Sequence, residues 1–350
     1  MVEGESTGMT RVRCSTAAVL LLAATLLPGV AKAETVRIAR QFGISYLPLV
    51  LMQEAGLLEQ EGRVRGLDLT VDWISFTGGP PINDALISGS IDLAAGGVGP
   101  MLTLWGRTRA NLRVKGIAAL CSMPIWLNTN NPAVRTIADF TERDRIALPG
   151  VKVSIQAVVL QMAALQAFGP GQQNRLDPLT VSMGHPDGQA ALLRGRTEIT
   201  AHFTAAPYMY AEAASPGVHR VLDSYDVLGG PHTFNLVWAT TRYHDGHPEV
   251  LAHDGHPEVL AAFMAALGRA MAIINEQPLE AAAAWVRSEH ARLSPAEAAE
   301  MIRDTGNEWT TTPRRMMAFA TFMHAAGGLT QRPERWQDLF FPAVHAQDGS

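Results

Sequence analysis

Two stretches of the chain carry nearly the same phrase. Residues 83–100 read NDALISGSIDLAAGGVGP, and residues 189–207 read QAALLRGRTEITAHFTAAP. In each, Ala-Leu is followed by an apolar residue, a polar residue and Gly. An acidic residue stands three positions after that Gly, and Pro closes the phrase. The pattern describes the end of a helix, a tight turn, a short buried strand and the start of the next helix. A unit written twice, about a hundred residues apart, predicts two similar α/β lobes. A cleft between two such lobes suits a small molecule, because ligand sites favour domain interfaces and the carboxyl ends of strands.

The rest of the pattern agrees. From Thr35 onward strands alternate with helices: residues 36–39 alternate as a strand, and 48–58 have helical spacing. Residues 67–76 alternate again, with Leu67, Leu69, Val71 and Trp73 on one face. Strand patterns recur at 91–97 and 112–120, with a helix between them at 99–107. A second series follows at 145–148, 154–168, 179–183 and 199–203, and residues 234–240 read as a strand returning to the first lobe. This alternation predicts mostly parallel sheets flanked by helices. The last third, 257–329, is Ala-rich and helical. Leu260, Phe263, Met264, Leu267, Met271 and Ile274 fall on one face, and Ser294-Pro295-Ala296-Glu297 is a capping box. Met316, Met317, Ala320 and Met323 read as core filling. The expected organisation is 34–126 with 239–350 as one lobe and 127–238 as the other.

The 350 residues, 47% hydrophobic and 17% charged, provide ample core, and a net charge of −5 argues against a nucleic-acid partner. Arg11 and Arg13 precede an apolar run at 17–27, then Pro28, Gly29 and Ala31-Lys32-Ala33. That is a secretory signal over residues 1–33, cleaved after Ala33 and placing the mature chain in the periplasm. The run is too short to span a membrane. Of two cysteines, Cys14 leaves with the signal, so the mature monomer has no disulfide, and Cys121 reads as a small buried hydrophobe. Residues 244–252, HDGHPEVLA, are repeated letter for letter at 253–261. Pro257 starts the long helix, so the first copy forms a separate turn. The two H-D-G-H runs lack a rigid frame for a metal, and the repeat reads as a neutral duplication.

No nucleophile elbow, zinc-protease helix, P-loop or dinucleotide fingerprint occurs, so no catalytic residue, metal or cofactor is expected. Three Gly-bearing loops follow the first three strands: Gly43-Ile44-Ser45-Tyr46, Phe76-Thr77-Gly78-Gly79 and Gly96-Gly97. At the carboxyl ends of an open sheet such loops gather at one edge, where backbone and helix starts can approach a ligand. The candidate ligand contacts are Ser45, Tyr46, Thr77, Gly78, Gly97, Trp126, Ser154, Gln156, His202 and Asn235. Tyr46, Trp126, Phe203 and Trp238 are the candidate aromatic walls.

These loops, the S-G-x-I-D core of the first phrase and the A-H-F-T-A-A-P-Y ending of the second resemble the solute-binding proteins of the nitrate/sulfonate/taurine class of ABC importers. That class includes relatives that bind thiamine pyrimidine precursors. The resemblance spans nearly all of the mature chain and rests on the order and spacing of the motifs. It implies a type II periplasmic-binding-protein fold, a monomer, and closure on a sulfonate, taurine, nitrate or pyrimidine-type solute. It also implies docking to a membrane permease with its ATPase. It puts Ser45, Tyr46, Thr77, Gly97, Gln156 and His202 at cleft positions. Glu198 stands where the family has Asp, and the nine-residue duplication is not a family feature. The alternatives are a receptor for a membrane signalling protein, and an enzyme like the thiamine-pyrimidine synthases, whose Cys-rich iron site this chain does not match.

Overall fold

A computed structural model describes residues 1–5, 34–245 and 256–350. Residues 6–33, where the export signal is expected, and the junction of the duplicated nonapeptide, 246–255, lie outside the described residues.

The chain opens with β1 (Glu34–Arg40), α1 (Leu47–Ala55), α2 (Leu57–Val64), β2 (Leu69–Ser75), α3 (Gly79–Ile87), β3 (Leu93–Gly97), α4 (Val98–Arg107) and β4 (Lys115–Ser122). It then builds β5 (Trp126–Thr129), β6 (Ile146–Leu148), α5 (Ile155–Phe168), β7 (Thr180–Ser182), α6 (His185–Arg194), β8 (Ala201–Thr204), α7 (Tyr208–Ala213) and β9 (His219–Asp223). After α8 (Ser224–Leu228) and β10 (Thr233–Ala239) come α9 (Thr241–Asp245), α10 (Pro257–Glu276), α11 (Pro278–Ser288), α12 (Pro295–Arg303) and α13 (Met316–Ala325).

The strands form two five-stranded sheets, β2-β1-β3-β10-β4 and β7-β6-β8-β5-β9. Put side by side, the two orders are the same. Three strands of each are parallel, as the βαβ units require. The fourth place in each is taken by the strand next to the crossing between sheets, and β10 and β5 are antiparallel to both neighbours. The sheets are therefore mixed. By sheet membership Trp126 belongs to the second lobe and 233–239 to the first, because β10 pairs with β3 and β4.

The repeated phrase folds as expected: α3, turn, β3, α4 in the first lobe and α6, turn, β8, α7 in the second. The edge strand β2 keeps the alternating pattern, although Val71 and Trp73 stay partly exposed because nothing pairs beyond it. The helix expected at 48–58 is two helices, since Gly56 adopts the left-handed conformation (φ 59°) and ends α1. The C-terminal helices pack on the first lobe. On α10, Leu260, Phe263, Leu267, Met271 and Ile274 are buried, each worth roughly 1.5–3 kcal/mol of burial. Ser294 and Glu297 make the expected capping box. At α13, Met316, Ala320 and Met323 are buried core.

Two segments cross between the sheets, 122–126 and 223–233, and they are bonded to each other. Ser122 Oγ donates to the His232 carbonyl (2.7 Å), and Ile125 N donates to Ser224 Oγ (2.9 Å). The C-terminal segment joins them: Ser122 and Glu308 exchange backbone hydrogen bonds of 2.8 Å, and Tyr225 Oη donates to the Gly306 carbonyl.

Candidate functional site

The lobes meet along the carboxyl ends of their strands. From the first lobe, the loop after β1 supplies Gln41, Phe42, Ser45 and Tyr46, the start of α3 supplies Gly79, and the β3–α4 junction supplies Gly97 and Pro100. From the second lobe come Pro149, Ser154, Ile155 and Gln156 around the start of α5, His185 at the start of α6, and Ala205 and Ala206 after β8. Phe234 and Asn235 on β10 form the floor. Five helices, α1, α3, α4, α5 and α6, thus begin at this cleft. No side chain caps the amides of α1, α3, α4 or α6. Ser154 caps α5 through Ala157 N at 3.2 Å. The partial positive charge of each helix start is directed into the same small volume, and no Asp or Glu lines it.

Glycines permit the close approach of the walls. A Cβ at Gly78 would lie 2.5 Å from the Pro149 carbonyl oxygen, and one at Gly99 would lie 2.5 Å from that of Val153. A Cβ at Gly97 would press on Ile155 Cγ2 at 2.8 Å. The cavity enclosed is about 20 Å³, room for about one water-sized group. A hollow of about 660 Å³ between α4 and the C-terminal segment is larger, and Arg109, Arg113, Lys115 and Arg332 line it. It is an open surface depression without the convergent helix starts, so the cleft is the better-built site.

Asn235 Nδ2 donates to Ser45 Oγ at 2.8 Å, tying the floor to the first loop. Cys121 lies beneath, its thiol donating to the Ser45 carbonyl (3.7 Å), and burial pushes its pKa up to about 12, so it stays a neutral thiol. Arg40 is buried and paired with Glu289 at the end of α11, which neutralises it. Lys152 is exposed.

Behind the second wall runs a chain of polar side chains. Gln156 Nε2 is 3.4 Å from His185 Nε2, and His185 Nδ1 is 3.1 Å from both His202 Nε2 and Thr204 Oγ1. His202 Nδ1 is 2.6 Å from Glu212 Oε1, whose partner oxygen accepts from Asn128 Nδ2 at 3.0 Å. His202, Glu212 and Asn128 are fully buried. Burial and, secondarily, the neighbouring His202 hold the His185 imidazole well below its usual pKa, so it is neutral at pH 7. Tyr208 stacks on His185 with ring centroids 5.7 Å apart.

Of the ten residues chosen from sequence, Ser45, Tyr46, Gly97, Ser154, Gln156 and Asn235 line the cleft together. Thr77 and Gly78 lie beside it, facing Gly184 and Pro149 across the lobe boundary. His202 sits one ring behind the wall. Trp126 does not line the cleft; it packs against Tyr210 and under the Arg220 guanidinium. Phe203 and Trp238 are fully buried core, so the aromatic lining is Phe42, Tyr46 and Phe234. Sequence reasoning passed over His185. Its signal was the Gly184-His185-Pro186 start of a helix, with Gly at the N-cap and Pro in the first turn.

No family model matches this sequence, and neither does any curated protein. Solved structures do match. The alkanesulfonate-binding protein SsuA of Xanthomonas axonopodis pv. citri, bound to MOPS, is 21% identical with a TM-score of 0.64, over 89% of this chain and 97% of its own. The periplasmic aliphatic sulphonate-binding protein SsuA of Escherichia coli is 21% identical with a TM-score of 0.59, over 87% and 98%. The periplasmic nitrate-binding protein NrtA of Synechocystis is 14% identical with a TM-score of 0.66, over 85% and 83%. The chain has the type II periplasmic-binding-protein fold.

The His202–Glu212 pair also resembles the base and orienting carboxylate of hydrolases. However, the neighbour of His185 Nε2 is the amide of Gln156, and the one hydroxyl near the ring, Thr204 Oγ1, is fully buried behind it at Nδ1. Among the described residues, no group of three or more His, Cys, Asp and Glu is placed to hold a metal ion.

Proposed function

We propose that this chain is the extracytoplasmic solute-binding component of an ABC importer, and that it takes a small anion of the sulfonate, taurine or nitrate type between its lobes. The observation that carries this reading is the convergence of five helix starts on a cleft without a carboxylate. Such a site favours negative charge without needing a lysine or arginine. The similarity of fold to sulfonate- and nitrate-binding proteins supports the same reading. Residues 1–33 serve as the export signal, the mature protein works in the periplasm as a monomer, and its partners are a permease and the attached ATPase. The lobes comprise the two sheets with their helices and hinge about 122–126 and 223–233. A cavity of about 20 Å³ is too small for a solute with an organic body, so loading requires the lobes to part. Population shifts toward closure only because the closed form contacts solute on both walls.

The test is titration calorimetry of the mature protein with nitrate, taurine, methanesulfonate and an aminopyrimidine. One of the three oxyanion-bearing solutes (nitrate, methanesulfonate or zwitterionic taurine) is expected to bind with micromolar affinity, about −8 kcal/mol. Failure of nitrate, methanesulfonate and taurine alike, or preference for the aminopyrimidine, overturns the reading.

A further inference from the structure

We propose that the first lobe carries a second anion site, at the edge of its sheet opposite the cleft, and that this site takes a soluble multivalent oxyanion. It is the hollow of about 660 Å³ walled by the end of α4, the start of β4 and residues 331–338. The proposal stands apart from the cleft and from whatever solute the cleft takes.

Strand β4 runs parallel to β3, since β10 is antiparallel to both. The cleft lies at the carboxyl ends of β1 and β3, so Lys115, the first residue of β4, lies at the other edge of the sheet. The length of β4 puts it roughly 25 Å away. Four cations line the hollow there: Arg109, Arg113, Lys115 and Arg332. None of them takes part in an ion pair among the described residues. The carboxylates are fewer. Asp338 accepts from the backbone N–H of Glu334 at 3.0 Å and of Arg335 at 3.1 Å, and pairs with the Arg335 guanidinium at 3.4 Å. Its charge is thus answered within its own turn, and Glu334 is left as the acid of the rim. In a chain of net charge −5, unpaired cations gathered around one concavity focus a positive potential that the average surface does not have.

The hollow is built before any guest arrives. Trp105, Val114 and Pro333 are buried and form its floor. Trp105 Nε1 donates to the Asp338 carbonyl at 3.3 Å, and Phe341 N donates to the Gly116 carbonyl at 2.8 Å, so the two walls are tied together. The Arg109 guanidinium lies over the Trp105 ring, 4.6 Å from its centroid, which orients it in advance. Arg113 has a left-handed backbone, φ 44°, with its N–H on the Thr108 carbonyl at 2.7 Å. A residue with a long side chain is strained there, and the chain accepts that strain at a position that lines the hollow. The volume is in the range of small-ligand sites. A guanidinium can bond two oxygens of one phosphate or carboxylate. A monoanion can occupy one or two of these groups, whereas an anion with several charged oxygens can engage both walls.

The experiment is titration calorimetry of the mature protein with inorganic pyrophosphate, at neutral pH and low salt, beside a double variant, Arg109→Ser with Arg113→Gly. Both side chains are exposed, and glycine suits the left-handed backbone at 113, so the variant is expected to melt with the wild type. Pyrophosphate is expected to bind the wild type at one site and the variant roughly tenfold more weakly, and to bind less tightly as salt screens the cations. Arg332→Ser, on the facing wall, is a second variant and is expected to weaken pyrophosphate severalfold. No binding of pyrophosphate, or the same affinity in wild type and variants, overturns the proposal. Binding to phosphatidylglycerol vesicles without binding of pyrophosphate also overturns it, because the patch is then a membrane contact. Methanesulfonate, if the cleft takes it, is expected to bind the double variant as it binds the wild type; an equal loss of both anions would mean one shared site and overturn the second. If methanesulfonate binds neither protein, the sulfonate reading of the cleft fails while the pyrophosphate result stands by itself.

Discussion

At the end of β3 the first lobe offers the cleft Gly97, and Gly99, one residue into α4, lets the Val153 backbone of the other lobe come close. After β8, at the same place in the order of the second sheet, the second lobe offers Ala205 and Ala206, with His202 and Thr204 behind His185. One wall is bare backbone that lets its neighbour approach to van der Waals contact. The other is a hydrogen-bonded set of side chains, Gln156, His185, His202 and Thr204. The difference teaches how a duplicated architecture makes an asymmetric site. The first phrase supplies close fit and a helix start; the second supplies the strand whose His202 and Thr204 back the His185 ring. The acidic residues of the two phrases differ in the same way. Asp92 accepts three bonds from Arg37, at 2.7, 2.8 and 3.0 Å, whereas Glu198 is exposed and makes no recorded side-chain bond among the described residues.

The largest effect is expected where the second wall is buried. Glu212→Ala leaves His202 and Asn128 facing a hole, and breaking a buried pair from one side costs about 3–5 kcal/mol. Urea denaturation of the mature protein measures it. A loss below 1 kcal/mol would mean that the pair is not the internal support described here. Next comes the glycine wall. Gly99→Val puts a branched side chain where even a Cβ is 2.5 Å from the Val153 carbonyl. Forcing the lobes apart costs about 1–3 kcal/mol, roughly a ten- to hundredfold weaker affinity. The radius of gyration with methanesulfonate present is expected to rise with it. Unchanged scattering and affinity would break the idea that this wall works by proximity.

Acid separates the walls further. The lining of the first wall contains no histidine or carboxylate. The second contains His185, whose pKa is depressed by burial and by His202. Below roughly pH 6.5, the value for a free His, the unfolded chain takes up a proton that native His185 refuses. Stability is therefore present above that pH and falls as pH drops through the window toward the depressed native value. The slope from this group is at most about 1.4 kcal/mol per pH unit. Thermal melts between pH 7 and 5 are expected to show a shallower decline in His185→Gln. Equal slopes would remove His185 from the account.

Much of this was legible in the sequence, and what was not has physical causes. The repeated phrase announced both α/β units because Gly89 and Gly195 end helices and the following apolar runs are strands. Loop position at the ends of β1, β3 and β6 picked out Ser45, Tyr46, Gly97, Ser154 and Gln156, since topology alone brings those loops together. His202 was visible as a polar residue in an apolar strand, but its partners are Glu212, ten residues on, and His185, seventeen back, and no local pattern encodes that meeting. Trp126 failed as an aromatic wall because its side chain is taken by Tyr210 and Arg220. The break at Gly56 was missed because apolar spacing runs through it, and only the backbone's left-handed turn shows where α1 ends.

The smallest predicted effects compare the two acidic residues that the phrases share. Asp92 closes the turn after α3 by holding the Arg37 backbone N–H and guanidinium on β1, and that guanidinium is partly exposed. Solvent screens such a pair, so Asp92→Ala is expected to cost about 1 kcal/mol, most of it from the lost backbone bond. Glu198 occupies the matching position with solvent around it, and Glu198→Ala is expected to stay within about 0.5 kcal/mol of wild type. Chemical denaturation of the two variants side by side reads the difference. The same letter pattern then has a structural task in one lobe and none in the other. Equal costs would mean that the second phrase ties its turn down as the first does, and the asymmetry between the lobes would be confined to the cleft walls.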